Sequence, residues 1–180
     1  MTERAMIAPR IETERLILRE FRLTDFESFC GMLTDPEVTE HLGGQIPDRS
    51  HAWDKFARVP GFWLLLGFGL WIVEEKASGR IAGNIGFALF ERAIDPPLPQ
   101  IPEGGWVFDK WAHGKGYASE ALAAAFQWAD LNLPNRGYCC IIDPENAASI
   151  ALAKKFGFEE TRRADFRGDE TVVFERPAYT

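Results

Sequence analysis

The chain has few cysteines, no long basic run and no apolar segment long enough to cross a membrane. Its three cysteines, Cys30, Cys139 and Cys140, lack metal-ligand spacing, and we interpret them as packing residues in a reducing cytoplasm. The longest apolar stretch, residues 61–73, contains Gly67 and Gly69 in its interior and falls short of the roughly 20 residues that a spanning helix needs. Residues 1–10 have no continuous apolar core of the kind found in secretory signals. These absences predict a cytoplasmic protein without a metal site.

The balance of charge argues against nucleic acid as a partner. The 20 Lys and Arg residues are outnumbered by 27 Asp and Glu residues, which gives a net charge of −7, whereas nucleic-acid affinity depends largely on cations that neutralise phosphates. An acidic surface weakly favours amine-bearing substrates through electrostatic steering. At 180 residues and 46% hydrophobic composition, the chain suits one globular domain. We expect this domain to span residues 11–180 after a tail of residues 1–10.

The most informative segment, Trp111–Leu122, places two glycines directly before an amphipathic helix. Gly114 and Gly116 allow the backbone to approach a ligand closely and to turn successive N–H groups toward one point. The first N–H groups of the helix and the positive end of its dipole complete an anion site that suits a pyrophosphate. The segment is not a dinucleotide fingerprint, because Ser119 stands at the third glycine position, and it lacks the P-loop spacing. The structural alternative is a tight bend between a strand and a helix.

A second motif, Asn146–Phe158, follows an apolar strand predicted at Tyr138–Ile142. Asn146 is a good N-cap and Gly157 a good residue for ending a helix, so the pattern predicts a short helix bounded at both ends. Capping alone would account for Asn146.

Together the two motifs resemble the GNAT superfamily of N-acetyltransferases, in particular its ribosomal-protein N-terminal acetyltransferase (RimJ/RimL-like) branch. Residues 14–19, Thr24-Asp25 and Asp35–Val38 are similar to the start of that branch. The family's loop carries Gln or Arg where this chain has Trp111, so the chain departs from the pattern there. The resemblance covers roughly residues 11–176. It implies a single α/β (α+β) domain of GNAT type, with a mixed, mostly antiparallel sheet, helices on both faces and two central strands that splay apart around the cofactor.

Periodicity and turn residues predict the remaining elements. Thr24 and Glu27 form a capping box before a helix that ends near Asp35, and Asp48 caps a further helix. The prolines between residues 91 and 102 indicate a loop. Strands are predicted at residues 14–21, 68–75, 80–90, 103–108, 138–142 and 171–176, with a hairpin turn at 76–79, and a helix follows the glycines to residue 130.

The resemblance implies that acetyl-CoA is the co-substrate and that no metal takes part. It implies that the glycine loop binds the pyrophosphate, that residues 106–108 hydrogen-bond the pantetheine arm, and that an N–H group near Phe108 polarises the thioester carbonyl. Lys115 either pairs with phosphates or stays solvated, and His113 contributes its side chain or only its backbone. The candidate cofactor-binding residues are Trp106, Val107, Phe108, His113, Gly114, Lys115, Gly116, Tyr117, Ala118, Asn146 and Lys155.

Two side chains are candidate catalytic groups. Glu103, at the start of the strand that would carry the thioester, is the candidate base, and the alternative is a solvated residue at a strand start. Glu74 and Glu91 are weaker candidates. By resemblance, Ser149 is the proton donor to the departing thiolate, and the alternative is that it only completes the start of its helix.

The predicted function is direct transfer of an acetyl group from acetyl-CoA to a primary amine, on a protein N-terminus or a small molecule. The alternative is a non-catalytic module of the same fold that binds acyl-CoA. Trp53 and Trp63 lie in the region where the superfamily builds acceptor pockets, and they are candidates to line one. The sequence leaves open which amine is the acceptor and whether the protein is a monomer or a homodimer.

Overall fold

A computed structural model describes residues 8–43, 46, 48–134 and 137–178. The strands are β1 (Ile11–Glu12), β2 (Leu16–Arg19), β3 (Leu70–Glu75), β4 (Ile81–Ala88), β5 (Ile94–Asp95), β6 (Glu103–Phe108), β7 (Tyr138–Ile142), β8 (Glu159–Phe166) and β9 (Asp169–Arg176). The helices are α1 (Phe26–Thr34), α2 (Pro36–Thr39), α3 (Arg49–Leu66), α4 (Tyr117–Asn132) and α5 (Ala147–Lys155).

The strands of the described residues form one sheet in the order β1-β2-β3-β4-β6-β7-β9-β8-β5. Neighbouring strands are antiparallel except β6 and β7, which are parallel and in register only at Glu103 and Cys139. Both residues lie at the start of their strands, so the remainder of β6 and β7 is unpaired on the facing edges. The structure thus has the mixed, mostly antiparallel sheet and the central split that the family resemblance implies.

Helices cover both faces of the sheet because successive side chains of a strand point to opposite sides. On β3, Trp71 and Val73 belong to the apolar cluster that includes α4 and α5, whereas Leu70 and Ile72 belong to the cluster that includes α1 and α3. We call these the α4/α5 face and the α1/α3 face. The split between β6 and β7 therefore opens between two separately packed layers.

Two predicted helix starts have different outcomes. The Asp48 carboxylate accepts a hydrogen bond from the His51 N–H group at 2.8 Å and caps α3 as predicted. The capping box of Thr24 and Glu27 is wrong. At the start of α1 it is the Asp25 carboxylate that is engaged: it accepts a hydrogen bond from the Arg22 N–H group at 2.8 Å and forms a buried ion pair with Arg19, with 2.7 Å between Nη1 and Oδ2.

At the far edge of the sheet one prediction was wrong and one strand was missed. Residues 91–102 are not all loop, because β5 pairs with β8. The final strand predicted at residues 171–176 is present as part of β9, but it forms a hairpin with β8, which the sequence did not predict. Exposed charged residues along β8 hide its apolar alternation in the sequence. Arg162 of β8 donates from Nη2 to the carbonyl oxygens of Pro96 at 2.9 Å and Pro97 at 2.8 Å, which holds the proline segment against this edge.

The described part of the predicted tail packs against the domain. Ala8 is buried, and the Trp71 indole N–H donates to the carbonyl oxygen of Pro9 at 2.8 Å. Residues 1–7 lie outside the described residues. Among the helices that the structure describes, none has the length and apolarity needed to cross a membrane.

Candidate functional site

The glycine loop lies between the end of β6 and the start of α4. Gly114 and Gly116 adopt φ values of +72° and +76°, a left-handed conformation that other residues rarely tolerate. Gly116 is the N-cap of α4, and no side chain caps the helix there. The N–H groups of its first turn are therefore available to a ligand, as an anion site requires.

The N-terminal segment holds this loop in place. Arg15 donates from Nη1 to the carbonyl oxygen of Lys115 at 2.9 Å and from Nε to the Glu120 carboxylate at 2.7 Å. Thr13 donates to the same carboxylate at 2.6 Å. Tyr117 is buried, and its hydroxyl donates to Glu75. The side chain of Tyr117 is thus committed to the fold, and the loop offers its backbone.

Trp111 is the position at which this chain departs from the family pattern, and two cationic side chains stack on its ring beside the loop. The Arg80 guanidinium lies 4.2 Å from the centre of a Trp111 ring and the Lys115 ammonium 4.6 Å from it, both within cation–π range. The indole N–H donates to the carbonyl oxygen of Ile81 at 3.3 Å. The His113 ring is engaged with the carbonyl oxygen of Phe108 at 2.9 Å from Nε2. Trp111 therefore places positive charge where the motif usually supplies a polar side chain.

The second motif forms the opposite wall of the split. The Asn146 side-chain oxygen accepts a hydrogen bond from the Ser149 N–H group at 3.0 Å, so Asn146 caps α5 as predicted. The Ser149 hydroxyl accepts a hydrogen bond from the Trp106 indole N–H at 3.2 Å, which links α5 to β6. Lys155 donates to the Ser119 hydroxyl at 2.6 Å and links α5 to α4. The structure thus brings three candidate residues, Trp106, Asn146 and Ser149, together around the start of α5.

Glu103 lies where β6 and β7 are still paired, at the closed end of the split. Only 4% of the residue is exposed, so the solvated alternative is wrong. Its carboxylate accepts two hydrogen bonds from Nε of Arg92, at 2.7 and 3.0 Å. Burial raises the pKa of Glu103, and the charge of Arg92 opposes that shift without cancelling it. Of the weaker candidates, Glu74 pairs with Arg19 at 2.7 Å and Glu91 is exposed.

The two candidate catalytic groups lie on opposite sides of the sheet. Trp106 packs on the α4/α5 face with Ser149, so the alternation of β6 places Glu103 and Val107 on the α1/α3 face. On that face Asn84 pairs in register with Val107, and its buried side-chain oxygen has no hydrogen-bond partner among the described residues. An acceptor on one side and a cofactor on the other could therefore meet through the split.

This geometry agrees with the protein family whose model matches the sequence. The model for the acetyltransferase (GNAT) domain matches residues 15–159. The chain belongs to the GNAT acetyltransferase family.

Relatives and solved structures agree with this membership. The chain is 28% identical to the uncharacterized protein YkkB of Bacillus subtilis over 174 residues, which cover 94% of this chain and 96% of that protein. An acetyltransferase structure from Agrobacterium tumefaciens has a TM-score of 0.78 and 28% identity, with 97% of this chain and 98% of that chain covered. RimL, a ribosomal L7/L12 alpha-N-protein acetyltransferase solved with coenzyme A, has a TM-score of 0.73 at 17% identity, covers 94% and 98%, and is similar in fold.

The prediction that Trp63 lines a pocket in this GNAT domain was wrong. Trp63 is buried, packs edge-on against Trp71 and Trp128, and donates its indole N–H to the carbonyl oxygen of Leu70 at 2.9 Å. Trp53 is 43% exposed. An indole that fills the space between helix and sheet is committed to the core and unavailable to an acceptor.

Sequence reasoning missed the three arginines that support the site. Arg15, Arg80 and Arg92 come from three separate segments and meet their partners only in the folded chain. The segment containing Arg15 was recognised as family-like, but nothing in it indicated a contact with the glycine loop. No local spacing could have paired Arg92 with Glu103, since neither residue belongs to a motif.

Neither metal nor thiol chemistry has a visible site in the described residues. They contain no group of three or more His, Cys, Asp or Glu residues that could hold a metal ion. All three cysteines are buried and unpaired. Burial raises the pKa of Cys139 to about 12 and that of Cys140 well above its ordinary value, so neither is a ready nucleophile at neutral pH.

Proposed function

We propose that this GNAT protein transfers the acetyl group of acetyl-CoA directly to a primary amine. The observation that carries the proposal is the split between β6 and β7, which ends at a glycine loop and an uncapped helix start. An unpaired strand edge can hydrogen-bond an extended amide chain such as the pantetheine arm, much as an added strand would. The helix start can bind the pyrophosphate at the end of that arm.

In the proposed complex, the backbone of residues 113–118 binds the pyrophosphate and residues 106–108 bind the arm. Lys115, held over Trp111, supplies charge near the phosphates. Asn146 and Lys155 lie on the α5 side of the same channel. An N–H group near Phe108 polarises the thioester carbonyl, and the fold holds that donor in place before the reaction begins.

Glu103 is the proposed base. The amine must lose a proton to attack, and a carboxylate whose pKa is raised by burial accepts a proton more readily than a solvated one. Arg92 keeps the ionised carboxylate hydrogen-bonded and oriented at the closed end of the split. Proton transfer occurs from the amine to Glu103, directly or through one water molecule.

Ser149 is the proposed acid. The amine nitrogen attacks the thioester carbon, the carbon–sulfur bond breaks, and the thiolate takes a proton from the Ser149 hydroxyl. Trp106 orients that hydroxyl, because its indole N–H donates to Oγ and leaves the hydroxyl proton free for donation. No acyl-enzyme forms, because all three cysteines are buried and burial raises the pKa of Cys139 and Cys140.

An amine-acceptor screen with acetyl-CoA tests the proposal. Thiol release that depends on an added amine, with the acetylated product seen by mass spectrometry, is the expected result. Binding of acetyl-CoA without release across the whole panel would favour the non-catalytic alternative. Including the N-terminal peptides of ribosomal proteins in the panel tests the proposed placement in the RimJ/RimL-like branch, and the buried free cysteines are compatible with the proposed cytoplasmic location.

A further inference from the structure

The partner of the candidate base is part of a larger arrangement on the α1/α3 face. Arg92, which binds Glu103, lies between two aromatic rings, with its guanidinium carbon 4.7 Å from the centre of Phe90 and 5.1 Å from the centre of Phe166. These distances are within cation–π range. The rings come from the segment after β4 and from the end of β8, so three parts of the chain meet at this guanidinium.

The same pattern continues outward in both directions. Beyond Phe90, the Phe62 ring lies 5.5 Å away, and Arg58 stacks over Phe62 with its guanidinium carbon 5.6 Å from the ring centre. Beyond Phe166, the guanidinium carbon of Arg167 lies 5.0 Å from the ring centre. Cations and aromatic rings thus form one continuous series of contacts, and Arg92, the partner of the candidate base, lies within it. We call this series the cation–aromatic belt: Arg58, Phe62, Phe90, Arg92, Phe166 and Arg167.

The belt carries more positive charge than the described residues neutralise. Lys55, on the same helix as Arg58, is close enough to Arg58, Arg92 and Arg167 for their charges, together with burial as the larger cause, to lower its pKa. Glu103 pairs with Arg92. No carboxylate among the described residues lies within ion-pair distance of Lys55, Arg58 or Arg167. The adjoining segments also carry exposed acidic residues, none of which forms an ion pair with these three cations: Asp54, Glu91, Asp95, Asp165 and Asp169.

A cluster of four cations in which only Arg92 has a carboxylate partner is unexpected in a chain whose net charge is −7. Like charges held together repel one another, and the unfavourable energy is relieved when an anion binds between them. Stacking on aromatic rings holds a guanidinium plane in a defined orientation and leaves its N–H edge available for a carboxylate. The belt therefore has the composition of an anion site placed beside the candidate base.

We propose that the acceptor is a small amine that also carries a carboxylate, and that the cation–aromatic belt binds this carboxylate. The inference rests on the proposed acetyl transfer and specifies its substrate class. With the carboxylate held by Arg58, Arg167 and Lys55, the amine end of the acceptor points toward Glu103 and the split. The overall acidic surface repels anions elsewhere, so the belt also selects where such a substrate docks.

Matched acceptor pairs test the inference. Each pair has a carboxylate in one member and the corresponding carboxamide in the other: glutamate with glutamine, 4-aminobutanoate with 4-aminobutanamide, and alanine with alaninamide. Rates are corrected for the fraction of neutral amine, because the amine pKa differs within the last pair. We expect the carboxylate member of at least one pair to have a kcat/KM roughly tenfold higher, as one charge-assisted contact implies. Raising the ionic strength should reduce the preference.

Variants of the belt then test whether its cations cause the preference for carboxylate acceptors. Arg58→Gln combined with Arg167→Gln should reduce the preference to less than about threefold, mostly through KM, while the carboxamide members keep their rates. The hydrogen-bond partner of Glu103 is Arg92, which the double variant retains. Arg22→Gln is the control, because Arg22 is an exposed cation outside the belt. Unfolding curves for all variants confirm that they fold.

The outcomes separate this inference from the proposed function. Equal rates within every pair, or a preference that the double variant retains, would overturn the belt assignment while acetyl transfer stands. If acetyl-CoA binds but no amine in the panel reacts, calorimetry measures the affinity of the CoA-bound protein for both members of each pair. Tighter binding of a carboxylate that the double variant loses supports the belt, and its absence overturns it. If acetyl-CoA does not bind at all, the proposed function fails, and calorimetry on the free protein gives the same decision for the belt.

Discussion

The two sides of the β6–β7 split are built in different ways. The α4/α5 side presents backbone, with an uncapped helix start, two left-handed glycines and a capped α5. The α1/α3 side presents side chains from distant segments, in the Glu103–Arg92 pair and the cation–aromatic belt. A backbone site is specified by short motifs and suits a cofactor common to a family. A side-chain site can change without altering the fold, and it suits a substrate particular to one protein.

The largest expected effect is on the acceptor side. Glu103→Gln removes the proposed base but keeps the shape of the side chain, and kcat should fall about 10³-fold, within the range typical of acid–base groups. Thiol-release kinetics measure this, and Glu91→Gln, which changes an exposed carboxylate nearby, should leave kcat unchanged. A Glu103→Gln variant that folds and keeps its turnover would leave Glu103 as a structural partner of Arg92.

The pH profiles of the wild type and of Glu103→Gln test the same role of Glu103 in a second way. The proposed reaction needs ionised Glu103 and a neutral amine, so kcat/KM should fall as pH decreases through the raised pKa of Glu103 and also through the pKa of the amine. Below both values, the logarithm of kcat/KM should have a slope of about two in the wild type and about one in Glu103→Gln. The same slope in both proteins would assign the base elsewhere.

On the cofactor side, Ser149→Ala should lower kcat about 10²-fold, the lower end for acid–base groups. The Ser149 backbone N–H that Asn146 caps is retained in the variant, so the melting temperature should change little. Affinity for acetyl-CoA should also stay the same, and Ser28→Ala controls for the loss of an exposed helical hydroxyl. A lowered melting temperature with unchanged turnover would show that the hydroxyl supports only the structure.

Gly116→Asp should weaken acetyl-CoA binding by roughly tenfold or more, or about 1.4 kcal/mol. The substitution adds a negative charge at the proposed pyrophosphate site and a side chain at a φ of +76°. Gly67→Asp is the control, because Gly67 has a φ of +75°, open space around its Cα and an exposed position at the end of α3. Calorimetry showing the same affinity in both variants would move the phosphate site away from the glycine loop.

The smallest expected effect is the absence of a covalent adduct. After incubation with acetyl-CoA alone, mass spectrometry should show no acetylation of Cys30, Cys139 or Cys140, because all three are buried. An acetyl-cysteine that forms and decays as fast as turnover would contradict direct transfer. If the acetylated residue were Cys139, the separation into two sides of the split would also fail, because Cys139 lies beside the proposed base Glu103 in the sheet.

Predictions from the sequence were most accurate where one short segment determines its own conformation. The glycine loop, the caps at Asp48 and Asn146, and the central strands depend on neighbouring residues, and the structure has them. The capping box at Thr24 failed because Asp25 is the N-cap of α1, and its carboxylate accepts the Arg22 N–H and pairs with Arg19 of β2. Strand β8 was missed because its exposed charges mask the alternation, and β5 because only its pairing with β8 makes it a strand.

The candidate site divides in the same way. The sequence alone indicated that an anion binds at the glycines, that α5 begins at Asn146, and that Glu103 and Ser149 are the candidate reacting groups. Only the tertiary structure decided which side of the sheet each group occupies, that Arg92 holds Glu103, and that cations from three segments converge beside it. Motifs act through bonds between near neighbours in the chain, whereas charge, burial and access depend on which distant segments the fold brings together.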